Sequence, residues 1–211
     1  MFLLVTGASG AGKSTVRRLI AGDLSPEVHC VELTDVVDLP RVMSIAWRQE
    51  ATEAVVARAV ELQGEGRHLL LAGDPVPAAE VLAAPSADRL EGFAACLLDV
   101  EPDMQAARLA ARGDDPGLLD HHQAFAAWMR AQARDPRHML EVVTTNGWEA
   151  MRWERLDRLD PEAGNWAMHV LEASRLSREQ VAEAVLRWCR DLLAGPTPVP
   201  PTRPAPSAPV E

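Results

Sequence analysis

The chain has 211 residues, 47% of them hydrophobic, with a formal net charge of -10 and an isoelectric point near 5.1. That length suits one α/β domain with a proper buried core, and the acidic balance argues against a nucleic-acid polymer or an anionic membrane surface as partner. No stretch approaches the roughly 18 apolar residues of a membrane span, and the N-terminus opens directly on an apolar strand, so a cytoplasmic protein is expected.

Phe2-Leu3-Leu4-Val5-Thr6 predicts a buried strand and Ser14 to Ala21 a helix. Between them lies Gly7-Ala8-Ser9-Gly10-Ala11-Gly12-Lys13-Ser14-Thr15, a full match to the phosphate-loop pattern G-x-x-x-x-G-K-S/T in its required strand-to-helix setting. Glycines at 7, 10 and 12 admit backbone angles closed to other residues and let successive N–H groups approach a polyphosphate. The helix start adds partial positive charge. Lys13, the only lysine of the chain, is expected to reach the β- and γ-phosphates, and Ser14 to ligate Mg²⁺. Thr15 completes the pattern as a helix residue.

Val28 to Leu33 predicts a second strand, and Pro40 to Gly64 a long helical stretch in one piece or two. His68 to Gly73 is a third strand ending in an Asp74-Pro75 turn, and Ala94 to Val100 a fourth. A helix follows from Asp103 to Arg112, stopped by Gly113, then a mobile segment. Asp120 with Gln123 forms a capping box opening a helix to about Arg134. His121 and His122 are adjacent and point to different faces, which fits a helix surface better than a shared metal.

Trp166 to Leu171 predicts a fifth strand, and Ser177-Arg178-Glu179-Gln180 a capping box before a helix carrying Val181, Val185, Trp188 and Leu192. Near-continuous apolar strands separated by helices predict a five-stranded parallel sheet covered on both faces, within one domain over residues 1–194. Cys30, Cys96 and Cys189 are far apart and read as buried thiols. Gly195-Pro196 ends the last helix. Residues 195–211 hold seven prolines and are expected to form a disordered tail, either inert or a docking strip for a partner.

The glycine loop at residue 7, the chain length and the alternation of strands and helices resemble the P-loop small-molecule and nucleoside-monophosphate kinases. The resemblance covers about residues 1–194 in order of elements and is strong over Gly7 to Thr15. Regulatory GTPases are set aside because their N-K-x-D element needs a second lysine. A transporter ATPase would carry L-S-G-G-Q, and a ring ATPase would be longer. Leu98-Asp99-Val100-Glu101-Pro102 followed by Ala107-Arg108-Leu109-Ala110-Ala111-Arg112-Gly113 looks like the strand, helix and R-x-x-x-R-G that lead into the lid of such kinases. The resemblance implies a three-layer P-loop kinase fold with a small lid over about residues 108–137, an acceptor-binding region over about 33–67, and ATP with Mg²⁺ as donor. Arg108 and Arg112 lie on one helical face, where a closing lid would deliver them to the charge of a loose transition state. Arg130, Arg134 and Arg137 are further candidates.

Ligands of open α/β sheets sit beyond the carboxyl ends of the strands, which directs the acceptor to Glu32, Asp35 and Asp38. Similar kinases carry an aspartate there that accepts the hydroxyl proton. Asp35 is the preferred base, its other reading being a turn or cap residue. Arg41 and Arg48 would clamp a phosphate or carboxylate of the acceptor, and Trp47 would wall the pocket. Asp74 stands where a carboxylate would meet a water on Mg²⁺, although Ala72-Gly73-Asp74-Pro75 departs from the D-G-x-P turn of monophosphate kinases. Trp148 and Trp153 either pack over the adenine or close the core. The expected activity is γ-phosphoryl transfer from ATP to a hydroxyl of a small molecule. The alternatives are a nucleoside-monophosphate kinase and a nucleotide-binding regulatory module with little turnover; a homodimer is compatible with each.

Overall fold

The computed structural model describes residues 1–162 and 166–196. Five strands, β1 (Phe2–Thr6), β2 (Val28–Val31), β3 (His68–Ala72), β4 (Phe93–Asp99) and β5 (His169–Glu172), form one sheet in the order β2-β3-β1-β4-β5. Every pairing is parallel, so each connection must cross a face of the sheet, and helices cover both. Alternate side chains of the central strands feed separate cores. Phe2, Leu4, Leu69 and Leu71 pack with α2 (Ile45–Gly64) and α3 (Ala78–Ala83), while Leu3, Val5, Leu70 and Cys96 pack with α1 (Lys13–Leu24) and α7 (Arg178–Ala194). This is the three-layer α/β architecture that the apolar runs predict.

A third, smaller core joins the helices that follow β4 to the sheet. Trp128 and Met129 of α5 (Leu119–Gln132) pack with Ala8, Leu97 and Val143, the last from the short helix α6 (Glu141–Thr144). Burial of side chains this large stabilises this packing by about 1.5–3 kcal/mol each. Trp153 touches both this cluster and the α2 core, so the tryptophan-bearing stretch closes the core.

Several predicted boundaries move for local reasons. β2 ends at Val31 because Glu32 and Asp35 exchange side-chain-to-backbone bonds in a capping box and wind Leu33–Asp35 into a 3₁₀ turn. The stretch from Pro40 becomes helical only at Ile45, where the Ser44 hydroxyl accepts the Trp47 N–H. Pro102 takes the first position of α4 (Pro102–Arg112), and Gly113, with φ 84, ends it. The Asp120–Gln123 box does not form: α5 begins at Leu119, which puts Asp120 inside its first turn, and the Gln123 amide donates to the Pro102 carbonyl, tying α5 to α4. β5 starts at His169, because Trp166 is drawn into the core with its indole N–H on the Ala133 carbonyl. The box at Ser177 and Gln180 forms in full. Residues 197–211 of the proline-rich tail lie outside the described residues.

Among the described residues no helix is long and apolar enough to cross a membrane.

Candidate functional site

The strands' carboxyl ends converge on the loop between β1 and α1. Gly7 has φ 147, and a Cβ there would stand 2.5 Å from the Leu98 carbonyl oxygen, so the loop can lie against β4 only without a side chain. Gly12, at φ 103, caps α1 with no side-chain bond, leaving the first N–H groups of the helix to face a ligand. Lys13 is only 5% exposed. Its ammonium donates to the carbonyls of Gly7 (2.7 Å) and Ala8 (3.0 Å), which uses two of its three donors. Burial lowers its pKa to about 8, with Arg112 adding to the shift and Asp74 and Glu32 opposing it. The ammonium is therefore charged at neutral pH. A buried cation inside a ring of backbone amides fits the phosphates of a nucleotide.

A cleft of about 560 Å³ opens over this loop, walled by Ser9 to Val16 and by Gly73, Pro75, Arg108, Arg112 and Arg178. Arg108 is stitched into the scaffold, donating to the carbonyls of Gly10 (3.3 Å), Ala11 (3.3 Å) and Ala173 (3.2 Å). Arg112 is 57% exposed in its side chain and forms a bidentate pair with Asp114 while still lining the cleft. The other lid candidates stand elsewhere: Arg130 pairs with Asp99 at 2.8 Å, and Arg134 and Arg137 are exposed. Arg178 belongs to the site as well. Its sequence signal was only a position inside a capping box, which carries no hint of a nucleotide.

Acidic groups gather around Gly73 and Leu33, next to the cleft lining. The Asp74 carboxylate accepts the Leu33 N–H at 2.7 Å, and burial raises its pKa, with Glu32 adding to the shift while Leu33, Lys13 and Arg17 oppose it. Glu32 accepts from Arg17 Nη2 at 2.6 Å and from its Nε at 3.1 Å. Its side chain lies directly over Gly73, which has φ 153, so any Cβ at that position would collide with it. Asp35 takes the cap role: its carboxylate accepts the Glu32 N–H at 2.8 Å and stands 3.6 Å from Arg17, half exposed. Ser14 lines the cleft beside Lys13. A serine hydroxyl with one nearby carboxylate is a donor set that suits Mg²⁺, which keeps several of its waters.

On the far side of Ser9 and Pro75 the cleft meets a second cavity of about 230 Å³, lined also by Ile45, Arg48, His121, His122, Phe125 and Val142. Arg48 reaches this cavity, but its guanidinium is held bidentate by Glu80 at 2.7 and 2.8 Å. Glu80 is completely buried and takes a further bond from Gln49. Arg48 is thus a neutralised pair member and not a free clamp. Arg41 lies exposed in the chain before α2, and Trp47 packs against the α2 core; neither lines the two cavities. The residues that do, and that sequence reasoning missed, are His121 and His122. Gln105, 1% exposed, fixes their helix to the phosphate loop by donating to the Ser9 (2.9 Å) and His122 (3.3 Å) carbonyls. Glu80 was a lone acid in an apolar run, the one signal that pointed to a buried pair.

No family model and no curated protein matches the chain. Among solved structures it is similar to a sugar kinase from Janibacter sp. HTCC2649 with TM-score 0.53 and 16% identity, over 97% of this chain and 98% of that one. It is similar to APE1195 with TM-score 0.56 and 12% identity, over 92% and 96%. A chain of the Pnkp1/Rnl/Hen1 RNA repair complex aligns with TM-score 0.48 and 15% identity, over 62% of this chain and 45% of that one. At these identities the likeness is one of fold: over 97% of this chain it is the three-layer α/β fold described above.

Proposed function

We propose that the protein is a Mg²⁺- and ATP-dependent phosphotransferase that moves the γ-phosphoryl group to a hydroxyl of a small molecule. The observation that carries this reading is the meeting of two cavities at Ser9 and Pro75. One is built for phosphates around a buried lysine. The other is lined by two histidines and by Arg48, whose charge Glu80 balances. Phosphoryl transfer needs such a junction, because the attacking oxygen and the terminal phosphorus must come into line with water kept out.

In this reading the backbone amides of residues 7–15 and Lys13 bind the polyphosphate, Arg108 orders the loop, and Arg112 with Arg178 supplies charge at its rim. Ser14, and Asp74 through water, would hold Mg²⁺, which would supply neutralisation of the polyphosphate charge. The acceptor oxygen bonds to phosphorus as the bond to the β-phosphate oxygen breaks, and the hydroxyl proton passes to a carboxylate. Glu32, against Gly73 and oriented by Arg17, is the better-placed acceptor for that proton; Asp35, occupied by its turn, is the alternative.

A nucleoside-monophosphate kinase would need a free cation for the acceptor phosphate, and the Arg48–Glu80 pair argues for an alcohol instead. The test is ADP release from Mg·ATP across a panel of alcohols, sugars, nucleosides and nucleoside monophosphates. Release with an alcohol is expected, lowered in Glu32→Gln and little changed in Asp35→Asn. Absence of any calorimetric heat with ADP or ATP and magnesium would overturn the reading.

A further inference from the structure

We infer, building on the phosphotransfer reading above, that the acceptor is an alcohol with an aromatic, apolar body, and that this body lodges in a third cavity alongside α5. That cavity, of about 500 Å³, lies between α5 and residues 138–142 and shares His121, Phe125 and Val142 with the cavity at the phosphate loop. The two cavities are therefore neighbours, meeting at these three side chains.

The chemistry differs between them. Near Ser9 the walls carry Arg48, His121 and His122, groups able to orient a hydroxyl. Farther in they are Phe125, Trp128, Met139 and Val142. Trp128 spends its only donor on the carbonyls of His138 and Met139, both at 3.2 Å, so what it offers the cavity is apolar. Phe125 stacks on it at 5.3 Å between centroids and 22° between planes, and the Arg48 guanidinium lies 5.9 Å from the Phe125 centroid. Both stacked rings line the cavity, an aromatic lining that an aromatic body fits. An anionic body is disfavoured because the nearest guanidinium is already balanced by buried Glu80. At the rim Met139 holds φ 43, a left-handed backbone uncommon for such a residue and concentrated at functional sites.

The test uses the full chain and naphthylethanol as probe, with glycerol and AMP as comparisons. Ala127, exposed at the rim of this cavity, is changed to Trp to fill it; Ala124→Trp fills it independently should the first variant fold poorly. Saturable probe binding to the wild type, weakened about tenfold or more in the filled variants while MgADP binding is retained, is expected. ADP release from Mg·ATP should be stimulated by the probe and not by glycerol or AMP. Equal probe binding in the filled variants, no probe binding at all, or equal stimulation by glycerol or AMP would overturn the subsite while leaving MgADP binding intact. If MgADP itself does not bind the wild type, the phosphotransfer reading falls and takes the subsite with it.

Discussion

The two halves of the site are built on opposite plans. In the proposed reading the donor half is one contiguous segment, residues 7–15, in which backbone amides and a single buried ammonium would carry the recognition, with arginines added at the rim. The acceptor half is made of side chains from α2, the turn after β3, α5 and α6, brought together only by the fold. Its one strong cation is cancelled by a buried carboxylate. A phosphate site of the first kind depends on local geometry and tolerates much change elsewhere. A site of the second kind is as changeable as the packing of its helices, which is how one fold serves different acceptors.

The sharpest way to separate the halves is Lys13→Met. It removes the donor charge but keeps an unbranched side chain in the same buried slot, so phosphoryl transfer should fall by at least about 100-fold with the thermal midpoint retained. Loss of folding instead would mean that the ammonium, through the Gly7 and Ala8 carbonyls, holds the loop together. Arg48→Met should do the reverse. It strands the fully buried Glu80 carboxylate and should cost about 3–5 kcal/mol of stability, measured by denaturant unfolding. Adding Glu80→Gln to that variant should recover part of the loss, and nucleotide affinity should change little in either protein.

The same contrast governs what could be read without a structure. The loop, the sheet and the capping box at Ser177 are local patterns, and a local pattern survives in sequence. The roles of Asp35 and Arg48 do not, since each depends on a partner that folding supplies: the Glu32 backbone and Arg17 for one, Glu80 thirty-two residues away for the other. His121 and His122 looked like a helix surface because nothing in their spacing announces that Gln105 ties their helix to Ser9. Helix α3, flanked by prolines and fully buried, left no amphipathic period to find.

Gly73→Ala tests the seam between the halves. The position combines a left-handed φ of 153 with a direct collision against Glu32, so a loss of about 1–3 kcal/mol is expected. Transfer should suffer more than nucleotide binding, since the displaced carboxylate is the proposed acceptor of the hydroxyl proton. Equal losses in both would place Glu32 with the donor.

The smallest effect comes from pH. Lys13 in the free protein has its pKa lowered to about 8, chiefly by burial, and a bound polyphosphate must raise it by favouring the charged form. Below about pH 8 the lysine is protonated with or without nucleotide, so affinity is flat. Above it the free protein loses the proton that the complex keeps, so binding takes up a proton and weakens, by about tenfold between pH 8 and pH 9 at most. Calorimetry of MgADP binding in buffers of different ionisation enthalpy would register that uptake directly. Lys13→Met should show neither the slope nor the uptake, whereas Arg48→Met should show both. A slope that survives in Lys13→Met would assign the titration to another group and remove the buried ammonium from the centre of the donor half.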